Sequence, residues 1–280
     1  MELYRSAEDY RTTEFITGAL QDIGSSKMQT IRKQFELNAR FFAGIREVYA
    51  TIKAHANAIT TGTTSDAPQP DRAPGHDLYV ALTSNKRFYG GLNRNIIRSF
   101  LEAIRSVDTT SDFLVVGQTG DQYLKETALR NRISRMQFED DAPNNEELQA
   151  VLALIGGYRR VFVIYPKFIN PFRQDIAMID ITETPAAQAD PALLADYIFE
   201  PEIPRMLEFF EAQVRRVLFE RVLLETELAR SAARTMKMRD ARTHAADLRV
   251  EYEHAMRHEY ETLADIQLME TFSGHMLWKQ

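Results

Sequence analysis

Apolar positions recur along residues 31–59 in alternating steps of four and three: Ile31, Phe35, Asn38, Phe42, Ile45, Tyr49, Ile52, Ala56 and Ile59. That is a 3.5-residue period, the spacing of a left-handed coiled-coil seam. Asn38 is its one polar member, and a polar residue at such a seam fixes register at some cost in stability. Residues 2–60 contain no proline and three glycines, Gly18, Gly24 and Gly44, so a long helix is predicted. At the other end, residues 205–273 contain neither proline nor glycine, which predicts a helix on the order of 100 Å long. Its stripe begins Ile203, Leu207, Phe210, Val214, Leu218, Val222 and thins beyond Leu228 to Ala229, Ala232, Ala233, Met236 and Ala241. Such a helix is marginal alone in water. Pairing with the N-terminal seam buries both stripes.

Between the two helices the pattern changes. Residues 60–76, with three prolines and two glycines, read as a linker. Short apolar runs at 78–82, 112–116 and 160–165 read as buried strands, and 173–181 as an edge strand. Helical patterns lie at 93–107 and 146–155, and alternation of this kind predicts a mainly parallel sheet with crossover helices. Residues 182–191 read as the exit linker. The expected architecture is an α/β insert on an antiparallel two-helix coiled coil. Its segments are an N-terminal coiled-coil helix (1–60), a linker (61–76), a Rossmann-like α/β domain (77–200) and a C-terminal coiled-coil helix (201–280).

Composition narrows the function. A net charge of -6 argues against a generic nucleic-acid binder, which carries a basic excess. The chain has no cysteine, which excludes disulfide scaffolds, thiolate metal sites and cysteine nucleophiles, and fits a reducing cytoplasm. The charged start of the chain, Met1 to Ser6, does not read as a signal peptide. No apolar run approaches the ~20 residues that span a bilayer, so no direct membrane insertion is expected.

Several local features invite chemistry. Gly90 and Gly91 follow a strand and precede a helix, but there is no G-x-G-x-x-G and no Gly-Lys-Ser/Thr loop; a tight βα turn is the better reading. His254 and His258 share a helix face without a third ligand and read as solvated. Glu139, Asp140 and Asp141 read as a solvated loop before a helix. Arg230, Arg234, Lys237, Arg239 and Arg242 read as a solvated face, or as partners for acidic loops of a surrounding ring. The small residues at 229–233 and 241–246 read as close helix packing. No catalytic constellation of the chain's own is found, and no cofactor or metal is implied.

Several stretches together resemble the gamma subunit of F-type ATP synthases. Residues 82–95 resemble that family's strand-end signature, with Lys86, Gly90, Gly91 and Asn93 in the turn. Residues 117–124 resemble its second strand-to-helix turn, 197–201 the segment leading to its last helix, 227–241 its alanine-rich stretch and Ser273-Gly274 its helix end. Residues 17–28 align with its N-terminal segment. The resemblance implies a non-catalytic rotor: a shaft inside a hexameric catalytic ring of alpha and beta subunits, with the α/β domain below it. An epsilon-like companion subunit and a membrane rotor ring are the other implied partners. It implies a cytoplasmic chain, peripheral on the inner face of the plasma membrane through its complex. Contacts with the head are implied at Gln21, Asp22, Lys27, Met28, Arg234, Met236, Lys237 and Arg257. The chain departs from the family at Gln21-Asp22, where a Lys-Met pair is usual, at Arg87-Phe88-Tyr89, and at Arg257-His258, one helical turn upstream of the family's Arg-Gln pair. These departures suggest a divergent gamma, or a gamma-like subunit of a variant rotary ATPase. The rival readings are a Rossmann-like nucleotide-binding protein with a helical dimerisation stalk, which predicts a ligand near residues 86–93, and an unrelated coiled-coil scaffold.

Overall fold

The computed structural model describes residues 2–60, 76–105, 107, 111–125, 132–182 and 202–277. The expected linker at 61–75, nearly all of the exit linker and the 197–201 stretch lie outside them; Ser273 and Gly274 lie in the last helix, without described side chains. In chain order the elements are α1 (Glu2–Thr60), β1 (Asp77–Leu82), α2 (Leu92–Arg105), β2 (Asp112–Val116), α3 (Gln118–Leu124), β3 (Ile133–Met136), α4 (Asn145–Gly156), β4 (Arg160–Asn170), β5 (Arg173–Asp180) and α5 (Ile203–Leu277). The chain divides into two compact units, Ser26–Ala233 on one hand and Met1–Ser25 with Arg234–Gln280 on the other.

The larger unit is built on a five-stranded sheet of order β3-β2-β1-β4-β5. Four strands are parallel, and β5 is antiparallel to β4. Side chains of β1 alternate between two cores, as the period of two requires. Leu78, Val80 and Leu82 share one with Val161, Val163 and Tyr165 of β4, Val151 and Ile155 of α4, Phe42 of α1, and Val214, Val217, Leu218, Phe219 and Val222 of α5. Tyr79 and Ala81 face the other, with Ile96, Ile97, Phe100 and Ile104 of α2. The long-helix pair therefore covers one sheet face and α2 the other.

Within this unit the α1 seam is buried as its period predicts: Ile31, Phe42, Tyr49 and Ile52 are each under 7% exposed. Asn38 is half-buried, and its Oδ1 is enclosed without a hydrogen-bond partner. Contacts run antiparallel, from Lys27 with Glu227 to Tyr49 with Glu211. The thin part of the α5 stripe is not a weak seam, since Ala229 and Ala232 are fully buried; Ala241, by contrast, is exposed.

Two elements are additional to the expected set, α3 and β3. Strand β4 also runs past Pro166 to Asn170. Its parallel pairing with β1 reaches only Ile164, so Pro166 lies where β5 is the one strand neighbour. A missing N–H is tolerated there.

The smaller unit repeats the antiparallel pairing. Tyr10 packs on Tyr252 with ring centroids 5.3 Å apart, and Glu14 meets Arg249 at 3.1 Å. Gly24 is buried, and a Cβ there would overlap the Thr235 hydroxyl, which would have to turn away to admit it. From residue 257 to 272 every side chain is exposed, among them Tyr260, Leu263, Ile266, Met269 and Phe272.

Candidate functional site

The polar residues of the larger unit converge where β1 ends. The buried Thr83 hydroxyl donates to the Val116 carbonyl (2.7 Å) and accepts from the Gly120 amide (3.0 Å), joining the first two strand ends. Gly117 makes this possible: its φ is 103°, and a Cβ would strike the Thr83 carbonyl. One residue on, the Ser84 amide donates to Asn93 Oδ1 and Asn93 Nδ2 donates to Ser84 Oγ (2.7 Å), so the buried Asn93 latches the start of α2 to the strand. Phe88 and Gly90 both have positive φ, at 72° and 59°, which turns the chain tightly between them. Gly91 is exposed, with open space where a side chain would be.

Asp141 sits inside this turn. Its carboxylate accepts from the amides of Asn85 (2.7 Å) and Lys86 (3.0 Å) and from the Tyr89 hydroxyl. Burial pushes its carboxyl upward, but those hydrogen bonds and the nearby Arg230 charge outweigh it and hold the group below the ordinary carboxylate range. Asp140, outside the turn, pairs with Lys86 at 2.5 Å, an ion pair and hydrogen bond that also lower its pKa. The expectation that residues 139–141 form a solvated loop fails at Asp141. The reason is geometric: a helix-capping box at Asn144 and Glu147 starts α4, and the Glu147 carboxylate reaches back to the Glu139 amide, folding the segment against the turn.

The second correction concerns Arg230. Expected on a solvated face, it is 5% exposed. One guanidinium nitrogen donates to the Asp141 carbonyl (2.8 Å), the other to the carbonyls of Leu82 (3.2 Å) and Thr83 (2.6 Å). Burial lowers its pKa, while Asp141, Tyr89 and Glu227 favour the charged form. Parallel-sheet strand ends of this kind are where α/β folds place ligands. Here the carbonyls of β1 are occupied by an arginine from α5, and the turn's amides by an internal carboxylate. The arrangement joins a helix to a sheet, and the Asp141 carboxylate is taken up by the turn's own amides and the Tyr89 hydroxyl.

Further ties follow α5 along the sheet and α1. Tyr165 Oη donates to Glu225 at 3.1 Å, and burial together with the Glu225 charge pushes the phenol above its usual range. Tyr49 Oη donates to Glu211 (3.0 Å), and the Arg221 guanidinium lies over the Phe35 ring at 5.4 Å.

The residues named as head contacts fall in both units. In the larger unit, Lys27 is engaged by Glu227 at 2.7 Å and Met28 is half-buried. In the smaller unit, Gln21 is half-buried with an enclosed, unpaired Oε1, and Asp22 is exposed. Arg234 and Met236 are half-buried, and Lys237 is exposed and paired with Asp240 (3.3 Å). Arg257 is exposed beside His254, and His258 is exposed beside Thr262. Among the described residues no helix is long and apolar enough to cross a membrane.

A family model described as ATP synthase matches residues 2–266. Similar curated proteins include the ATP synthase gamma chain of Psychrobacter sp. (strain PRwf-1), 23% identical over 267 residues and covering 88% of each chain. The gamma chain of Xanthomonas oryzae pv. oryzae (strain PXO99A) is 22% identical over 254 residues and covers 87% of each. Among solved structures, a chain of the Tetrahymena thermophila mitochondrial ATP synthase central stalk and c-ring superposes with a TM-score of 0.57 at 19% identity, over 81% of this chain and 99% of that one. A chain of the Euglena gracilis mitochondrial ATP synthase does so at 0.53 and 14%, over 90% and 94%. At these identities the superpositions speak to the fold.

Proposed function

We propose, from the premise that this chain belongs to the ATP synthase family and is its non-catalytic gamma-type rotor subunit, that it carries torque through a polar joint centred on Arg230. The paired helices are the shaft, and the α/β insert is the part that a membrane ring turns. A rotor fails if its insert slips along its shaft. Apolar contacts alone resist separation but not sliding, because the hydrophobic effect is non-directional. Arg230, with directed hydrogen bonds to three carbonyls, fixes one register of α5 on the sheet. That buried cluster is the observation that carries the reading.

The chemistry then belongs to partners: alpha and beta subunits of a catalytic head around the shaft, an epsilon-like companion and a membrane ring at the insert. The chain would sit at the inner face of the plasma membrane through that complex, without inserting. Within the smaller unit, the exposed apolar side chains of residues 260–272 suit a sliding bearing. Gln21, Asp22, Lys27, Met28, Arg234, Met236, Lys237 and Arg257 are proposed contacts with the head. Asp22 is exposed and acidic, which favours a head whose facing surface has changed with it, as in a variant rotary ATPase.

The test is purification of the chain with its native partners and mass measurement of the intact assembly. One copy of this chain with three-fold repeated ATPase subunits is expected. A stable homodimer without ATPase subunits would overturn the rotor.

A further inference from the structure

Helix α2 carries an outer face that the joint and the shaft do not use. Arg94, Arg98 and Arg105 are exposed there. With Leu101, Glu102 and Tyr123 of α3 they line an open groove of about 240 Å³. Among the described residues none of the three arginines makes a hydrogen bond or ion pair. The chain as a whole has a net charge of -6, yet here three guanidinium groups face a single carboxylate. At ~1.5 Å per residue, Arg94 and Arg98 are separated by about 6 Å along the helix, and Arg98 and Arg105 by about 10 Å. The inner face of the same helix is fully committed: Ile96, Ile97, Phe100 and Ile104 are buried in the core. The outer arginines therefore contribute nothing to the packing that forms the helix.

We infer that this groove is a docking site for an acidic helical segment of a partner protein. Three properties select that occupant. Guanidinium groups form paired hydrogen bonds with carboxylates, and three in a row ask for three acids in a row. Glu102 interrupts the row, so the matching segment carries one basic residue opposite it. A helix running antiparallel to α2 meets these requirements with the order acid, base three residues on, acid four residues later, acid four residues later again. Tyr123, 45% exposed, and the half-buried Leu101 give the same segment an apolar strip to lie on. An anionic membrane surface fits less well, since Glu102 would repel a sheet of headgroups while a peptide can answer it. This inference does not rest on the rotor reading; it requires only the exposed face of α2.

The probe is a labelled 16-residue helical peptide, Glu-x-x-Lys-x-x-x-Glu-x-x-x-Glu within an alanine-rich frame, titrated with the full-length chain by fluorescence anisotropy. The expected result is saturable binding that weakens several-fold between 0.05 M and 0.3 M salt. The triple variant R94Q/R98Q/R105Q should bind at least 10-fold more weakly, and R94K/R98K/R105K should fall between, because lysine keeps the charge but not the fork. Circular dichroism checks that both variants fold, as exposed positions allow. Equal affinity of wild type and triple glutamine variant overturns the proposal. So does a scrambled peptide of the same composition binding as tightly as the ordered one. Arginine-dependent sedimentation with phosphatidylcholine vesicles containing 30% phosphatidylglycerol, without peptide binding, overturns it in favour of a lipid surface.

Discussion

Replacing Arg230 with methionine tests the joint directly. Methionine keeps an unbranched apolar stem, two atoms shorter than arginine, and removes every donor. Three carbonyls, those of Leu82, Thr83 and Asp141, then lose their guanidinium partner in a buried place. Each buried acceptor left unsatisfied costs about 1–3 kcal/mol. Asp141 also loses the positive charge that helps hold it ionised. Water reaching the Asp141 side of the cluster relieves part of this, and the methionine side chain regains a little apolar burial. A net loss of about 3 kcal/mol follows, at the lower end of the range of about 3–5 for breaking a buried charge pair on one side. Thermal unfolding of the full chain, followed by circular dichroism, should show a fall of about 6–12 °C, taking roughly 2–4 °C per kcal/mol for a domain of this size. Hydrogen exchange should accelerate first at the amides of Asn85 and Lys86, which donate to Asp141. The exposed Arg216, paired with Glu220 one turn along the same helix, serves as the control; Arg216→Met should cost under about 0.5 kcal/mol. If Arg230→Met lies within about 1 kcal/mol of wild type and leaves those amides protected, the joint is not a joint, and the torque path needs another anchor.

Asp141 gives a pH signature. Its carboxyl is held below the ordinary value of 3.8, so its contribution is complete above about pH 5 and is lost as pH falls through the lowered value. Wild type should keep its midpoint from pH 7 to pH 5 and lose it below pH 4, while Asp141→Asn should begin about 2 kcal/mol lower at pH 7 and show a shallower acid limb in urea titrations. Gly117→Ala places a Cβ against the Thr83 carbonyl at a φ of 103°, and should lower the unfolding free energy by about 1–3 kcal/mol or more in the same assay. Asn38→Leu removes an enclosed, unpaired amide oxygen from the seam. It should raise the thermal midpoint while loosening register, which cysteine cross-linking between α1 and α5 within residues 26–233 would read as extra products; a lowered midpoint would refute the account.

The sequence made the long helices legible because each is a one-dimensional pattern. A seam with period 3.5 from Ile31 to Ile52 reports its burial without any knowledge of the partner. The strands at β1, β2 and β4 were visible for the same reason, as compact apolar runs. Strand β3 was not: Ile133-Ser134-Arg135-Met136 has two apolar residues, and it pairs with β2 alone at the sheet's edge. The apolar run at 160–165 ends before the strand does: β4 continues through Pro166 to Asn170, and nothing local reveals that its pairing with β1 has ended at Ile164. The turn at residues 83–93 was recognised as a βα turn with no phosphate loop, and Asn93 was singled out in it. Asn93 bonds Ser84 within the turn, while the turn's distant partners, Asp141 and Arg230, come from as far as 147 residues along the chain.

Arg230 shows why charge is the hardest thing to place by pattern. On a helix, arginine among polar neighbours reads as solvated, and that default is usually right. The contrary signal was present but indirect. Arg230 is flanked by Ala229, Ser231, Ala232 and Ala233, all of them buried. Small residues around a large charged one let a helix backbone come close enough to a sheet for the side chain to lie across the strand ends instead of extending to water. The same small residues thin the apolar stripe that pairs α5 with α1. What the stripe lacks in this stretch in hydrophobic area is replaced by directed bonds, and the replacement changes the mechanical character of the interface. Greasy packing below, at Val214, Val217, Leu218 and Val222, supplies most of the cohesion. Polar ties at Glu211, Glu225, Glu227 and Arg230 fix the axial position of the helix. A shaft that must turn its insert without slipping requires both, and in this chain α5 carries both between Glu211 and Arg230.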